Sequence, residues 1–395
     1  MTGKTDVVVI GGGYAGVMAA NRLTQRDDVR VTLINRRAKF VERMRLFQLV
    51  TGSDDAVVDY GDVLAEDIRL VVDTVIRINA SRRSVTLATG DSVSYDYLIY
   101  AVGSDSGTPT VPGAAEFAYS TSTLEDAQRL RSVVDDTPAD AAVTVVGSGP
   151  TGIETAAELA QQGRRVTLVC GEVLGPYLHP RGRSSVAKRL AKLGATVLEG
   201  SGAKVTAVRH DTVQLSDGRR LPSTVTVWTA GFGVPDLAAR SGLSTDTAGR
   251  LLTDETLTSL DDERVVAAGD SAAPSDLPYR MSAYSARPLG AHAADTVLNR
   301  IAGKEPTAFN LGFFGMCISL GRRFATAQFA RKDDTATSRT FSGRLVGLLV
   351  KEASTRGLIK QLKHEARKPG SFTWAKDDKR QDLLRAKRGK ALATQ

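Results

Sequence analysis

Residues 143–159 read VTVVGSGPTGIETAAEL, and residues 7–23 read VVVIGGGYAGVMAANRL, so the chain contains nearly the same segment twice. Each segment begins with a run of β-branched residues, which is typical of a buried parallel strand. Glycines spaced G-x-G-x-x-G follow, and then an alanine-rich amphipathic helix. A second apolar strand comes after each helix, VTLI at 31–34 and VTLV at 166–169. Both copies therefore predict strand, glycine turn, helix and strand in that order.

This pattern is the unit that binds dinucleotides. Its first glycine permits the tight turn, its second lets the backbone approach a pyrophosphate, and its third lets the helix pack closely. The N-terminus of the helix faces the phosphate charge. One copy alone is also explained by an ordinary glycine-rich turn. Two copies in matching context predict an α/β fold with two Rossmann-like domains, and two dinucleotides in one chain.

The composition excludes several other classes of protein. The 395 residues are enough for two or three domains, and 42% of them are hydrophobic, as in soluble globular proteins. The two cysteines, Cys170 and Cys317, show no CxxC spacing, which argues against a disulfide framework, a zinc cluster or a redox dithiol. The four histidines are scattered, so no metal site is expected. Because MTGKTDVVVIGGG enters a strand at once, no secretion signal is expected, and the expected location is cytoplasmic.

Four more motifs extend the similarity to a known family. They are LFQ-x-x-TG at 46–52, YDYLIYAVGS at 95–104, VWTAGF at 227–232 and VVAAGD at 265–270. With them the chain resembles the two-dinucleotide-binding-domain flavoproteins of the pyridine nucleotide-disulfide oxidoreductase superfamily, and among these most of all the type II NADH dehydrogenases (NADH:quinone oxidoreductases). The resemblance covers residues 6 to about 330. It implies an FAD domain at 1–111 and 233–310, an NAD(P)H domain at 112–232, and a C-terminal α/β module at 311–395.

The resemblance assigns the first glycine turn to FAD. The backbone of the turn would wrap the pyrophosphate, and Asn35, where relatives carry an acidic residue, would accept hydrogen bonds from the adenosine ribose. Asp270 would hold the ribityl chain, although a helix N-cap is the alternative role for this aspartate. A helix starting near Met281–Ser282 would point its N-terminus at the flavin. The FAD contacts implied in this way are Gly11, Gly13, Tyr14, Ala15, Gly16, Asn35, Arg36, Val75, Ala101, Gly103, Gly269, Asp270, Ser282 and Ala283.

The second turn would hold NAD(P)H. Glu154 matches a family glutamate beside the nicotinamide and the flavin, with a helix-surface glutamate as the alternative interpretation. Cys170 occupies the position that reads the ribose, and Glu172 would bind the 2′-hydroxyl and repel a 2′-phosphate, which favours NADH over NADPH. The contacts implied for this nucleotide are Gly147, Gly149, Pro150, Thr151, Gly152, Cys170, Glu172 and Gly231.

The site of the electron acceptor departs from the family pattern. Disulfide reductases of this superfamily use a cysteine pair beside the flavin, and this sequence lacks such a pair. Type II dehydrogenases carry AQ-x-A-x-QQG at the quinone pocket, and the corresponding stretch here is AYSARPLG at 283–290. The resemblance therefore implies a quinone stacked on Tyr284, without the glutamines that would contact its carbonyl groups.

The C-terminal tail carries the positive charge of the chain. Residues 351–395 hold 13 Lys or Arg and 5 Asp or Glu, which equals the whole net charge of +8. Residues 343–368 show an apolar stripe punctuated by cations, which predicts a basic amphipathic helix with a break at Gly357 as one option. Such a helix lies on an anionic membrane, packs on its own protein or pairs two copies in a homodimer. Nucleic-acid binding is discounted, because only Phe372 and Trp374 are available for stacking.

Three functions fit these features. The first is a quinone reductase, peripheral on the inner face of the membrane. The second is a soluble NAD(P)H-dependent flavoprotein reductase of a small electrophile or a redox carrier protein. The third is a redox-responsive flavoprotein that acts by binding a partner.

Overall fold

The computed structural model describes residues 4–377 and 379–393, and it is built around two five-stranded parallel sheets. Within these ranges the α-helices, in chain order, are α1 (Tyr14–Leu23), α2 (Leu46–Val50), α3 (Ala114–Phe117), α4 (Leu124–Asp136), α5 (Pro150–Gln161), α6 (Pro180–Lys192), α7 (Leu237–Arg240), α8 (Ala283–Ile301), α9 (Glu352–Arg367) and α10 (Arg380–Ala393). Short 3₁₀ turns lie at 43–45, 60–62, 80–82, 201–203 and 269–271, and a π-helical turn lies at Val346–Lys351.

The two parallel sheets have the same design. In the first sheet the strands are ordered Val265–Ala267, Tyr97–Tyr100, Thr5–Ile10, Val29–Asn35 and Arg69–Val72. In the second sheet the order is Ala118–Ser120, Val225–Trp228, Ala142–Val146, Arg165–Val169 and Thr196–Leu198. The strand that precedes each glycine turn is central, so both turns lie at the carboxyl edge of a sheet, where ligands of open α/β folds bind.

Each half also contains an antiparallel meander of three strands. The first meander consists of Val75–Asn79, Ser84–Leu87 and Ser92–Ser94, and the second of Val205–Val208, Thr212–Leu215 and Arg220–Pro222. Each meander leads directly into a strand beside the central one, at Tyr97 and at Val225. The internal repeat therefore extends from the glycine turn to the whole unit.

The chain leaves the first sheet after Tyr100, builds the second sheet, and returns to the first at Val265. The outgoing and returning segments meet at Asp105 and Gly233, whose backbone groups exchange hydrogen bonds of 2.9 and 3.1 Å. The second sheet is thus inserted between two strands of the first, and the boundaries at 111/112 and 232/233 stay a prediction. Two smaller pairs of strands complete this part, Lys39–Val41 with Val57–Asp59 and Leu251–Thr253 with Ala272–Pro274.

The C-terminal segment packs on both units. Its antiparallel sheet consists of Gly315–Ser319, Ala325–Ala330 and Ala336–Gly343. Ile318 and Leu320 join the core beneath α5, whereas Leu362 of α9 and Phe372 join the core around α1 and α8. The expected break at Gly357 is wrong, because α9 continues through this residue from Glu352 to Arg367.

The apolar stripe of the tail divides into two parts. Leu358, Ile359 and Leu362 pack on the core, and Asn21 of α1 donates a hydrogen bond of 3.2 Å to the Leu362 carbonyl. Leu345 and Leu349 are instead 71% and 67% exposed. Within the described ranges, no helix is long and apolar enough to cross a bilayer.

Candidate functional site

In both glycine turns, the first and third glycines are enclosed by protein. A Cβ atom on Gly11 would overlap the Ala101 carbonyl oxygen, and one on Gly16 would overlap the carbonyl oxygen of Gly11. In the second turn a Cβ on Gly152 would overlap the Gly147 carbonyl in the same way. Gly11 and Gly147 also have φ angles of +100° and +134°, where other residues are strained. These positions fix the shape of the turn.

The middle glycines face open space instead. A Cβ atom on Gly13 or on Gly149 would meet nothing within 4 Å. Each of these glycines is the N-cap of a helix, α1 and α5 respectively, and neither cap receives a side-chain hydrogen bond. Free helix N–H groups beside an empty approach fit a pyrophosphate. This geometry accommodates one dinucleotide at each turn.

The first turn is braced by two side chains. Asn35 accepts a hydrogen bond of 3.0 Å from the Gly12 N–H and donates one of 2.9 Å to the Arg37 carbonyl. The hydroxyl of Tyr60, a residue that no sequence motif singled out, donates to the Gly12 carbonyl at 2.8 Å. Asn35 thus holds the turn, and its second lone pair is the acceptor left for a ribose hydroxyl. Arg36, the next residue, is exposed.

Asp270 has one satisfied and one unsatisfied oxygen. Ser104 donates to its Oδ2 at 2.7 Å, and Arg43 donates to Ser104 at 3.1 Å. Oδ1 is buried and has no hydrogen-bond partner within the described residues. The helix N-cap alternative is wrong, because Asp270 lies inside a 3₁₀ turn whose N-cap is Ala268. A buried acceptor without a donor fits a ligand hydroxyl, such as one from the ribityl chain of FAD.

The other expected FAD contacts surround this point. Gly269, which adopts a φ of +69°, would place a Cβ 2.8 Å from the Cβ of Ala15. Helix α8 starts at half-buried Ala283, close to the expected start near Met281–Ser282. Ser282 is its N-cap, and the Ser282 Oγ accepts a hydrogen bond from the Ser285 N–H at 3.1 Å. Val75 is buried at the start of a meander strand. Gly103 adopts a φ of +74°.

Glu154 is held by the C-terminal segment. It is only 5% exposed, so the interpretation as a helix-surface glutamate is wrong. Its Oε1 accepts from the Lys351 ammonium at 2.6 Å and from the Ser319 N–H at 2.9 Å. Sequence reasoning placed Lys351 among the cations of the amphipathic tail, and no local pattern links it to Glu154. The pair ties α5 to the π-helical turn before α9.

We expect Lys351→Met to destabilise the protein by about 3–5 kcal/mol, because it leaves a buried carboxylate without its cation. Denaturant unfolding measures this loss. The double variant E154Q/K351M should recover most of it, since neither charge then remains. Lys360→Met, at an exposed lysine of α9, is the matched control and should change the free energy of unfolding by less than about 0.5 kcal/mol. Equal effects of Lys351→Met and Lys360→Met would contradict the pairing.

A second buried carboxyl lies one helical turn beyond Glu154. Glu158 is 2% exposed, and its Oε1 has no hydrogen-bond partner within the described ranges. Burial raises the pKa of Glu158 to about 7, with a smaller contribution from Glu154, while Arg322 opposes the shift. The interior beneath α5 therefore holds one ion pair and one carboxyl that titrates near neutral pH.

The expected ribose-reading position of the second turn is buried. Cys170 donates its backbone N–H to the Leu198 carbonyl at 2.8 Å, and burial raises the pKa of its thiol to about 12. Glu172 is exposed beside it. Glu199, which sequence reasoning missed, accepts from the Leu174 N–H at 2.8 Å. Two acidic residues therefore lie near the carboxyl ends of the neighbouring strands Arg165–Val169 and Thr196–Leu198.

The remaining expected contacts of this nucleotide surround α5. Pro150 is the first residue of this helix. The carbonyl of Thr151, the next residue, accepts a hydrogen bond from the Thr155 hydroxyl at 2.8 Å. Gly231 has a φ of +85° and open space beside it.

Tyr284 lies between α8 and the C-terminal segment. Its hydroxyl donates to the Gly312 carbonyl at 3.0 Å, and its ring centroid is 5.6 Å from that of Phe313. The side chain is half-buried, and burial raises the pKa of its phenol. Phe372 and Trp374, the aromatic residues weighed for nucleic-acid stacking, instead stack on each other at 6.0 Å. The described residues contain no group of three or more His, Cys, Asp or Glu placed to hold a metal ion.

Comparisons with known proteins agree with this geometry. A family model described as pyridine nucleotide-disulphide oxidoreductase matches residues 5–294. An NADH dehydrogenase-like protein of Mycobacterium tuberculosis is 32% identical over 80% of this chain and 86% of its own length. A type II NADH:quinone oxidoreductase of the same organism is 28% identical, over 76% of this chain and 73% of the relative.

Solved structures share the fold. The sulfide:quinone oxidoreductase of Aquifex aeolicus superposes with a TM-score of 0.77 at 20% identity, covering 91% of this chain and 92% of that one. The NDH2 of Plasmodium falciparum, solved in complex with NADH, gives a TM-score of 0.76 at 16% identity, covering 93% and 99%. At these identities the likeness concerns the fold alone.

Proposed function

The chain belongs to the pyridine nucleotide-disulphide oxidoreductase family, and from this premise we propose that it oxidises NADH and delivers the electrons to a quinone-type acceptor. It is an FAD-dependent NAD(P)H dehydrogenase. Bound FAD would supply the redox chemistry, namely acceptance of a hydride from NAD(P)H and donation of two electrons to the second substrate. The observation that carries the proposal is the pair of open middle glycines, Gly13 and Gly149, each at a helix N-terminus.

The residues at the first turn suit FAD. The N–H groups at the start of α1 would face its pyrophosphate, and Asp270 would accept a hydrogen bond through its unpartnered Oδ1. Ser104 and Arg43 orient this carboxylate from the opposite side. Ser282 at the start of α8 would bring a second helix N-terminus near the flavin.

NADH rather than NADPH is the donor we propose. Glu172 follows the strand Arg165–Val169, which would read the adenosine ribose, and Glu199 follows the neighbouring strand Thr196–Leu198. Their carboxylates would accept hydrogen bonds from ribose hydroxyls and repel a 2′-phosphate. Cys170 contributes no charge there, since its thiol stays protonated.

The acceptor site that we propose is the partly exposed ring of Tyr284, which packs on the buried ring of Phe313. Both rings lie beside the first turns of α8, where a flat quinone would stack. Glu154 stays in its buried pair with Lys351, and through it the C-terminal segment is fixed against α5.

Two substitutions at Tyr284 test this site. Tyr284→Ala removes the stacking ring and should raise KM for a short-chain quinone by about three- to tenfold. Tyr284→Phe is the matched control, because it keeps the ring and loses only the bond to Gly312. Steady-state NADH oxidation with the quinone measures both. An unchanged KM in Tyr284→Ala would place the acceptor elsewhere, and activity only with a carrier protein would favour the soluble reductase.

Membrane association at the inner face is a further part of the proposal. An apolar patch is formed by Phe341, Leu345, Leu348, Leu349 and Val350, all at least 45% exposed. Phe329 adds its ring at 5.8 Å from that of Phe341. The exposed cations Arg339 and Arg344 flank this apolar patch. Apolar side chains edged by arginines suit an anionic lipid surface, from which a quinone would enter.

Vesicle binding tests the apolar patch. The double variant L345D/L349D should bind vesicles of anionic phospholipid at least about tenfold more weakly, because each leucine loses its burial in lipid. Co-sedimentation measures the bound fraction. Leu260→Asp is the control, since this leucine is 64% exposed outside the apolar patch. If the double variant binds as the wild type does but loses a dimer on size exclusion, the apolar patch is a subunit contact.

A further inference from the structure

Arg287, in the second turn of α8, is a buried cation without a carboxylate partner. It is 6% exposed, and its Nε donates to the Ala283 carbonyl of the same helix at 3.1 Å. Within the described residues it forms no ion pair. The other two arginines buried to this degree are both paired, Arg45 with acidic residues that include Glu352, and Arg380 with Glu255. Arg287 is therefore the exception among the buried arginines of the described chain.

The surroundings of Arg287 are aromatic. The guanidinium carbon lies 5.7 Å from the ring centroid of Phe372. Tyr14 and Tyr284 are near enough for the guanidinium charge to oppose the rise in pKa that burial causes in both phenols. Burial lowers the pKa of Arg287 to about 10, so the group stays charged at neutral pH. The Tyr14 hydroxyl is buried and also has no hydrogen-bond partner in the described ranges.

This cluster offers donors and lacks an acceptor. The terminal nitrogens of Arg287 have no hydrogen-bond partner among the described residues, and the residue keeps 6% of its surface exposed. A buried cation without a counter-ion is unfavourable by several kcal/mol, whereas an incoming anion offsets that loss. The cluster is therefore shaped to take a negatively charged oxygen.

Arg287 also lies beside the acceptor site. It follows Tyr284 by three positions, so the two side chains share one face of α8. In the quinone motif AQ-x-A-x-QQG, Arg287 falls on an unspecified position, so the motif assigns it no role. The two glutamines that would contact a neutral quinone are replaced by Pro288 and Leu289. Arg287 therefore offers a cation to an acceptor on this face of α8.

We propose that Arg287 is a specificity-determining residue that binds an anionic oxygen of the electron acceptor. The preferred acceptor then carries a carboxylate or an acidic hydroxyl beside its quinone ring. This inference rests on the proposed function, because it places the acceptor at Tyr284.

A pair of naphthoquinones tests the inference. Lawsone, a hydroxynaphthoquinone, is an anion at neutral pH, and menadione is its neutral methyl analogue. In Arg287→Met, kcat/KM for lawsone should fall at least about tenfold more than kcat/KM for menadione, as expected for loss of a charge-assisted hydrogen bond. Each acceptor is compared between wild type and variant, so their different reduction potentials cancel. Arg287→Lys keeps the charge and should retain part of the preference.

Two controls distinguish acceptor binding by Arg287 from a role in stability or in flavin binding. Arg287→Met should not lower Tm, because replacing an unpaired buried charge by an apolar side chain is neutral or stabilising. An equal loss with lawsone and menadione would overturn the inference. So would loss of bound FAD or slower bleaching by NADH, since either result would assign Arg287 to the flavin.

A binding measurement keeps the inference separate from the proposed function. Isothermal titration of the oxidised, FAD-loaded protein with lawsone needs no turnover. A Kd at least about tenfold weaker in Arg287→Met supports the anion site even if neither quinone reoxidises the protein, in which case only the proposed function fails. An unchanged Kd overturns the anion site, whatever the activity.

Discussion

Gly13→Val protein is expected to purify colourless, with at least about tenfold less FAD per chain than the wild type, because the valine would occupy the space of the pyrophosphate. A Cβ at this position meets no protein atom within 4 Å, so the substitution should leave the fold intact. Flavin absorbance relative to protein absorbance measures the loss, and circular dichroism verifies folding.

The matched control for this experiment is Gly357→Val. A Cβ on Gly357 also meets nothing within 4 Å, but this residue lies in α9, away from both glycine turns. The control variant should stay yellow. A yellow, FAD-loaded Gly13→Val protein would show that the first turn is not the FAD site.

Gly149→Val should give the opposite phenotype. The protein should remain yellow, because the first turn is untouched, while bleaching by NADH slows by at least about 100-fold as the second pyrophosphate site closes. Gly149 has the same open space as Gly13 and the same place at a helix N-cap. Anaerobic mixing with NADH measures the rate.

The two valine variants are controls for each other, since they differ only in which turn is blocked. Bleaching of Gly149→Val at the wild-type rate would show that NADH binds outside the second turn. Loss of flavin from both variants would mean that the turns are not independent sites.

Local patterns explain what the sequence predicted well. The strands, the glycine turns and helices α1 and α5 were predicted from short-range periodicity and from the spacing of the glycines. The start of α8 near Met281–Ser282 was expected from the family resemblance, and the structure shows that Ser282 is the N-capping residue. The repeat itself made the assignment to two dinucleotide units strong.

Long-range contacts explain what the sequence did not predict. Glu154 and Lys351 lie in distant parts of the chain, and a lysine in a basic helix is expected to face solvent. The burial of Arg287 depends on Phe372, which follows α9. The division of the tail stripe into a packed half and an exposed half is likewise set by α1, through Asn21 and Leu362. None of these contacts has a local signature.

Transfer of electrons from NADH to a quinone is the central claim, and anaerobic stopped-flow mixing tests it most directly. The yellow protein is first bleached with one equivalent of NADH and then mixed with menadione or lawsone. We expect fast bleaching followed by reoxidation by at least one quinone at a rate no slower than steady-state turnover. Fast bleaching with reoxidation far slower than turnover with another acceptor would contradict the quinone assignment and direct the search to soluble electrophiles and carrier proteins.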